Sequence, residues 1–217
     1  WQEIGVPEPR PALPGNIDVD VAIVGAGFTG LWSAYYLKKA KPELRVVVLE
    51  QRHVGYGASG RNGGWLTNAI TGGREQYVPS HGAGEAERFQ LAMNETVNEV
   101  IRVSEVEGIE ADIKKGGEFT VAYTPAQEAR LRKFVNDEAQ WESTNVQLLE
   151  SAEAMAKVNV HNTHVAAWHP HSARIQPAKL ISGLAIAAEL LGVEIYENTR
   201  VEEILPHRVL TTHGSVS

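Results

Sequence analysis

The sequence predicts an α/β fold organised on a parallel sheet, with part of an α+β region of antiparallel strands inserted into it. Three observations carry this. A glycine-rich turn joins the apolar run Val21 to Val24 to a helical segment, and a second apolar run, Val46 to Leu49, follows and ends in Glu50. A helix-then-strand pattern returns at Gln176 to Tyr196, which suits a further parallel strand added through a right-handed crossover. Between them, Phe119, Val121 and Tyr123 alternate as a half-buried strand does, and this marks the inserted region.

The elements follow in order. Residues 1 to 16 carry Pro7, Pro9, Pro11 and Pro14 and read as an extended arm, either laid over the surface or disordered. After the strand Val21 to Val24, the helix opens at Thr29 or Gly30. Leu31, Ala34, Tyr35 and Leu37 form its apolar face, and Pro42 ends it. From Glu85 to Val106, Phe89, Met93, Val97, Val100 and Ile101 recur at helical spacing with Ser104 as a polar exception, and Gly108 supplies a stop. Thr124-Pro125-Ala126-Gln127 offers an N-cap, a proline at the first helical position and a capping-box glutamine, so a helix should run to about Trp141. Ser151 to Val158 reads as a short helix and Val165 to Trp168 as a short strand. Gln176-Pro177 opens a helix with Leu180, Leu184, Ala187, Ala188 and Leu191 on one face, ended by Gly192. The expected organisation is an arm over 1–16, a nucleotide-binding domain over 17–110, an insertion over 111–174 and a return to the first domain over 175–217.

Composition narrows the function classes. With 217 residues, 43% of them hydrophobic, and a net charge of −7, the chain can bury a core and has no basic character to favour nucleic acid. Cysteine is absent, which excludes disulfides, Cys-based zinc sites and a cysteinyl cofactor link within this stretch. The most apolar segment, Leu180 to Ile195, is broken by Ser182, Gly183, Glu189 and Gly192 and reads as helix plus strand, so no membrane partner is expected. No leader is visible, and a cytoplasmic location is expected.

The glycine turn has a specific chemistry. In Val24-Gly25-Ala26-Gly27-Phe28-Thr29-Gly30, Gly25 permits the tight turn, Gly27 lets backbone approach a pyrophosphate, and Gly30 lets the helix pack closely on the sheet. The helix N-terminus then faces the phosphate charge. Glu50, 20 residues after Gly30, stands where a carboxylate accepts the hydroxyls of an adenosine ribose. This is a Rossmann-like dinucleotide cradle.

A second loop decides which dinucleotide. Gly55 to Gly64 holds five glycines in ten residues, interleaved with Arg61 and Asn62 and followed by Trp65 and Leu66. A flexible linker rarely mixes these types, whereas a loop passing a cofactor needs bare N–H groups, a cation and flat surfaces. Taken together, VGAGFTG, VVVLE and GASGRNGGWL resemble the FAD-dependent amine and amino-acid oxidoreductases of the D-amino-acid oxidase superfamily. They are most similar to its glycine oxidase, sarcosine oxidase and gamma-glutamylputrescine oxidase branch. The resemblance implies FAD as cofactor, with the pyrophosphate at Gly25, Gly27, Phe28, Thr29 and Gly30, the ribose on Glu50, and Gln51 and Arg52 bordering adenine and ribose. It places Gly57, Ala58, Ser59, Arg61, Asn62, Gly63, Gly64, Trp65 and Leu66 along the pyrophosphate and isoalloxazine. It adds the backbone of Val201, at the end of Tyr196-Glu197-Asn198-Thr199-Arg200, beside the adenine.

The activity implied is oxidation of the C–N bond of a small-molecule amine or amino acid by hydride transfer to flavin N5, giving an imine, with O2 reoxidising the flavin to form H2O2. Arg61 would stabilise charge on the reduced ring or merely tie its loop. No catalytic residue can be named. His161, His164, His169 and His171 lie close in sequence, but no metal site is expected from them, and one of them or Arg174 would line a substrate cavity. Two other readings stay open: an NAD-dependent dehydrogenase, or a noncatalytic nucleotide-binding piece of a larger flavoprotein. Arg208 to Ser217 looks like a hairpin cut at its second strand, and the resemblance covers only the N-terminal part of a family member. A complementary C-terminal chain, or the remainder of the same polypeptide, is therefore expected.

Overall fold

A computed structural model describes Gly5 and residues 7–217; the start of the arm, residues 1–4 and 6, lies outside the described residues. The chain packs as two units, one comprising residues 1–64, 103–112 and 175–217, the other residues 65–102 and 113–174. In chain order the first unit opens with β1 (Val21–Val24), α1 (Phe28–Ala40) and β2 (Val46–Leu49). The second holds β3 (Trp65–Leu66), α2 (Val78–His81), most of α3 (Ala83–Val106), β4 (Lys114–Lys115), β5 (Glu118–Ala122) and α4 (Pro125–Glu138), then β6 (Gln147–Glu150), α5 (Ser151–Lys157), β7 (Val165–His169) and β8 (Ala173–Arg174). The chain then returns through α6 (Pro177–Leu190), β9 (Glu194–Tyr196), β10 (Val201–Leu205), β11 (Arg208–Thr211) and β12 (Gly214–Val216).

The first unit is layered around the parallel sheet β1-β2-β9. Strand β2 is buried on both faces, which is why it reads Val-Val-Val-Leu without alternation. Val46 and Val48 meet Leu31, Ala34 and Tyr35 of α1 and Ile181, Leu184 and Ala188 of α6. Val47 and Leu49 turn the other way, onto Tyr196, Val209, Val216 and Leu13. That second face is covered by the antiparallel sheet β10-β11-β12, in which the strands β11 and β12 form a hairpin over Arg208 to Val216 and β10 pairs with its first strand. Residues 17–19 pair with its last strand through Ile17 and Val19. The arm is anchored at Leu13, which is buried, while Gly5, Pro7, Glu8 and Pro9 are exposed.

The second unit contains the antiparallel sheet β5-β7-β6. On one face Ala122, Val165 and Ala167 meet Leu131 of α4; on the other Leu149 and Ala166 meet Ala154 of α5. A smaller antiparallel sheet, β3-β8-β4, completes it. Thr124 caps α4 by accepting the Gln127 N–H, while the Gln127 side chain accepts the Tyr123 N–H instead of closing a box on Thr124.

By packing, residues 65–102 belong with the second unit and not with the span 17–110 drawn from sequence. The reason lies in buried polar side chains. Gln90 and Asn94 of α3 bond to each other, Asn68 bonds to both, Arg74 donates to Gln90, and Asn94 donates to the Ser143 carbonyl. The buried side of α3 is thus partly polar. Phe89, expected in the core, is 39% exposed, while Val103 is fully buried. Among the described residues no helix is long and apolar enough to cross a membrane.

Candidate functional site

The glycine turn sits at the C-terminal end of β1. Gly25 has φ +94°, a left-handed conformation that side chains rarely adopt. A Cβ on Gly30 would stand 2.1 Å from the Gly25 carbonyl oxygen, so only glycine lets the first turn of α1 close over the loop. The helix opens at Phe28, with Gly27 as its N-cap, one residue before Thr29, the earlier of the two openings expected from sequence. The space a Gly27 side chain would take faces the Ser59 hydroxyl at 3.1 Å. That hydroxyl accepts the Phe28 N–H at 3.0 Å, supplying a cap that Gly27 cannot. Thr29 is exposed beside it.

Glu50, partly exposed, spreads its carboxylate between two backbone donors. One oxygen accepts the Ala26 N–H and the other the Arg52 N–H, each at 2.9 Å. Each oxygen keeps a second lone pair, the capacity two ribose hydroxyls need. Gln51 and Arg52 are exposed next to it. The Gly55 N–H donates to the Ala26 carbonyl and ties the following loop to the turn.

That loop is structured. Ala58–Gly60 forms a 3-10 turn with Gly57 as its N-cap. The Asn62 amide donates to the Ala58 and Ser59 carbonyls and accepts the Gly64 N–H. Gly64 has φ +74°, and a Cβ there would meet the Ile175 carbonyl oxygen at 2.2 Å. Arg61 lies with its guanidinium 4.5 Å from the Tyr56 ring centre, and Arg52 reaches the same ring at 5.7 Å. Both stackings hold a cation on an exposed aromatic. Gly63 is open on the surface. Trp65 and Leu66 fall in the second unit, paired with Arg174 and Ala173.

Val201 begins β10, half-buried against the second face of the sheet. The loop before it carries groups that sequence reasoning did not single out. Glu197 is 2% exposed and accepts the N–H groups of Val54 and Arg10, each at 2.9 Å, plus the Arg10 guanidinium at 3.3 Å. Burial works against the charge of Arg10, but bonds from Glu189 and Glu197 outweigh it and raise its pKa. Burial, together with a 2.6 Å hydrogen bond to Glu194, pushes the Tyr196 hydroxyl up to about 12. The same bond and that of Arg45, the larger of the two, hold Glu194 below its ordinary value.

The clustered histidines take separate partners. His164 bonds Glu128, His169 bonds Glu118 and His171 bonds Asn145. His169 lines a cleft of about 550 Å3 in the second unit, with Trp65, Arg74, Glu118 and Phe134.

Positive-φ Gly25, the Gly30 approach, an α1 N-terminus next to the turn and a carboxylate with spare lone pairs fit a dinucleotide such as FAD. The family model described as "DAO: FAD dependent oxidoreductase" matches residues 20–217. The chain belongs to this family of FAD-dependent oxidoreductases. Gamma-glutamylputrescine oxidoreductase from Escherichia coli is 34% identical over 216 residues, covering 96% of this chain and 49% of that protein. Glycine oxidase from Geobacillus kaustophilus aligns with a TM-score of 0.70 at 26% identity, over 92% of this chain and 53% of that one. Glycine oxidase from Bacillus cereus aligns with a TM-score of 0.75 at 20% identity, over 92% and 53%, a likeness of fold. The chain spans about half the length of the curated relatives it matches. Family membership makes FAD the cofactor and removes the nicotinamide alternative.

Proposed function

We propose that this chain forms the FAD-holding part of an enzyme that oxidises the C–N bond of a small amine or amino acid. The observation that supports it most is the family match over 20–217, joined to a 34% identical relative named for a putrescine conjugate. In this reading the α1 N-terminus at Gly27 to Gly30, with Gly25 shaping the turn, holds the pyrophosphate, and Glu50 takes the ribose hydroxyls. Gln51, Arg52 and the Val201 backbone border the adenine. Gly57 to Gly64, with Trp65 and Leu66, follow the remainder of the cofactor. Bound FAD supplies a two-electron acceptor at N5, so that the amine loses hydride and proton to become an imine and O2 is reduced to H2O2. Arg61 contributes a fixed positive charge, held on Tyr56, toward the reduced ring.

The remaining polypeptide, as the same chain or a partner, completes the substrate side, and the enzyme works in the cytoplasm. The test uses the complete protein. It should be yellow, bleach anaerobically with gamma-glutamylputrescine, glycine or sarcosine, and release peroxide when air is admitted. A colourless protein that takes up no FAD, or a flavin unchanged by every amine and amino acid offered, overturns the reading.

A further inference from the structure

We propose that Arg10, from the N-terminal arm, is a positioning residue for the nucleotide cradle: by neutralising buried Glu197 it fixes the two loops on which the ribose and adenine of FAD rest. The inference rests on the assignment of the cradle to FAD.

Strands β2 and β9 run parallel with Leu49 opposite Tyr196, so the next residues, Glu50 and Glu197, end neighbouring strands. This is the end of an α/β sheet where ligands bind. Two uncompensated carboxylates there would repel an anionic pyrophosphate. Glu50 remains partly exposed to water, but Glu197 is 2% exposed and has to be paired. Among the described residues Arg10 is the cation that reaches it, at 3.3 Å. The other edge of the same guanidinium grips Glu189 of α6 with both oxygens, at 2.6 and 2.7 Å. The arm is therefore clamped between a helix and the loop.

Backbone bonds carry that clamp to the cradle. The Pro11 carbonyl accepts the Glu197 N–H, and the Leu13 N–H donates to the Thr199 hydroxyl. The Asn198 and Thr199 N–H groups donate to the carbonyls of Arg52 and Glu50. Glu197 itself accepts the Val54 N–H, and Glu50 accepts that of Ala26 in the glycine turn. A shift of Glu197 thus reaches the ribose-binding carboxylate through one intervening loop. Separation in sequence, 187 residues between Arg10 and Glu197, hides this link.

The test measures cofactor affinity on the complete protein stripped of FAD, by flavin fluorescence, with ADP as a probe of the adenine half. Arg10→Ala is expected to weaken FAD and ADP by a common factor of about tenfold or more. Arg10→Lys, which keeps the charge but not the fork, should lose less. Arg10→Ala combined with Glu197→Gln should recover part of the affinity, because the amide oxygen still accepts from Val54 and no unpaired charge is left, although the amide NH2 cannot accept the residue 10 N–H. Arg45→Gln, which breaks the exposed pair with Glu194 on β9, serves as the control and should leave both affinities unchanged. A folded Arg10→Ala protein within twofold of wild type overturns the proposal, as does loss of FAD without loss of ADP. If Arg10→Ala does not fold, Arg10→Lys decides: affinity equal to wild type overturns, and an intermediate loss supports. Wild-type protein that binds neither FAD nor ADP overturns the cofactor assignment itself, a different failure from equal affinities.

Discussion

Glu50 and Glu197 close adjacent parallel strands one residue beyond the same register pair, yet their surroundings are opposite. Glu50 is partly exposed, and its carboxylate accepts the backbone N–H groups of Ala26 and Arg52. Glu197 is buried, and its acceptor capacity is spent on Arg10 and Val54. The same residue type at equivalent places therefore does different work. Glu50 keeps lone pairs for the ribose role proposed above, whereas Glu197 fastens the scaffold.

The sharpest break of that contrast is Glu197→Ala, which leaves the N–H groups of Arg10 and Val54 without their acceptor while the guanidinium keeps only Glu189. It should cost about 2–4 kcal/mol of unfolding free energy in urea, the penalty of two buried donors left unsatisfied, and a loss below about 1 kcal/mol would make the two glutamates equivalent. Glu50→Gln should do the reverse. Stability should fall by about 1 kcal/mol, while FAD affinity drops about 10- to 100-fold in a titration of the stripped protein. An unchanged FAD affinity would remove Glu50 from the ribose site. Ser59→Ala tests the cap on the helix beside them and should cost about 1 kcal/mol in thermal melts without FAD.

The smallest effect at neutral pH belongs to Tyr196→Phe, and it grows on the alkaline side. The Tyr196 hydroxyl is raised from its ordinary 10 to about 12, so folding favours its neutral form. Its contribution is complete below pH 10 and is lost as the pH climbs through 12. Between those values wild type should lose stability that Tyr196→Phe does not lose, followed by circular dichroism and by tyrosinate absorbance. Parallel curves for the two proteins would show that burial and the bond to Glu194 do not hold the proton.

What was legible in the sequence was local. The glycine turn, the two parallel strands and the α6–β9 return are each written in a short window, because period and punctuation operate over a few residues. On α3 the apolar spacing places Val97 in the core but not Phe89, because the buried Gln90 and Asn94 are satisfied by Asn68, Arg74 and Ser143, which no helical wheel reveals. The mixture of glycines with Arg61 and Asn62 speaks against a flexible linker from Gly57 to Gly64, but the sequence does not show that Asn62 pins the loop at three points. The Arg10 to Glu197 clamp had no local signal. Proline-rich composition suggested an arm, and only the packed chain shows what that arm holds.

Strand β1 carries the glycine turn, yet it lies at the margin of its sheet with Val24 half exposed, whereas β2 is sealed on both faces. Alternate amides of a marginal strand face away from its single neighbour. In hydrogen-exchange terms they should trade protons with solvent well before those of β2, even while the unit stays folded. The mount of the glycine turn thus registers what lies alongside it sooner than the sealed central strand does.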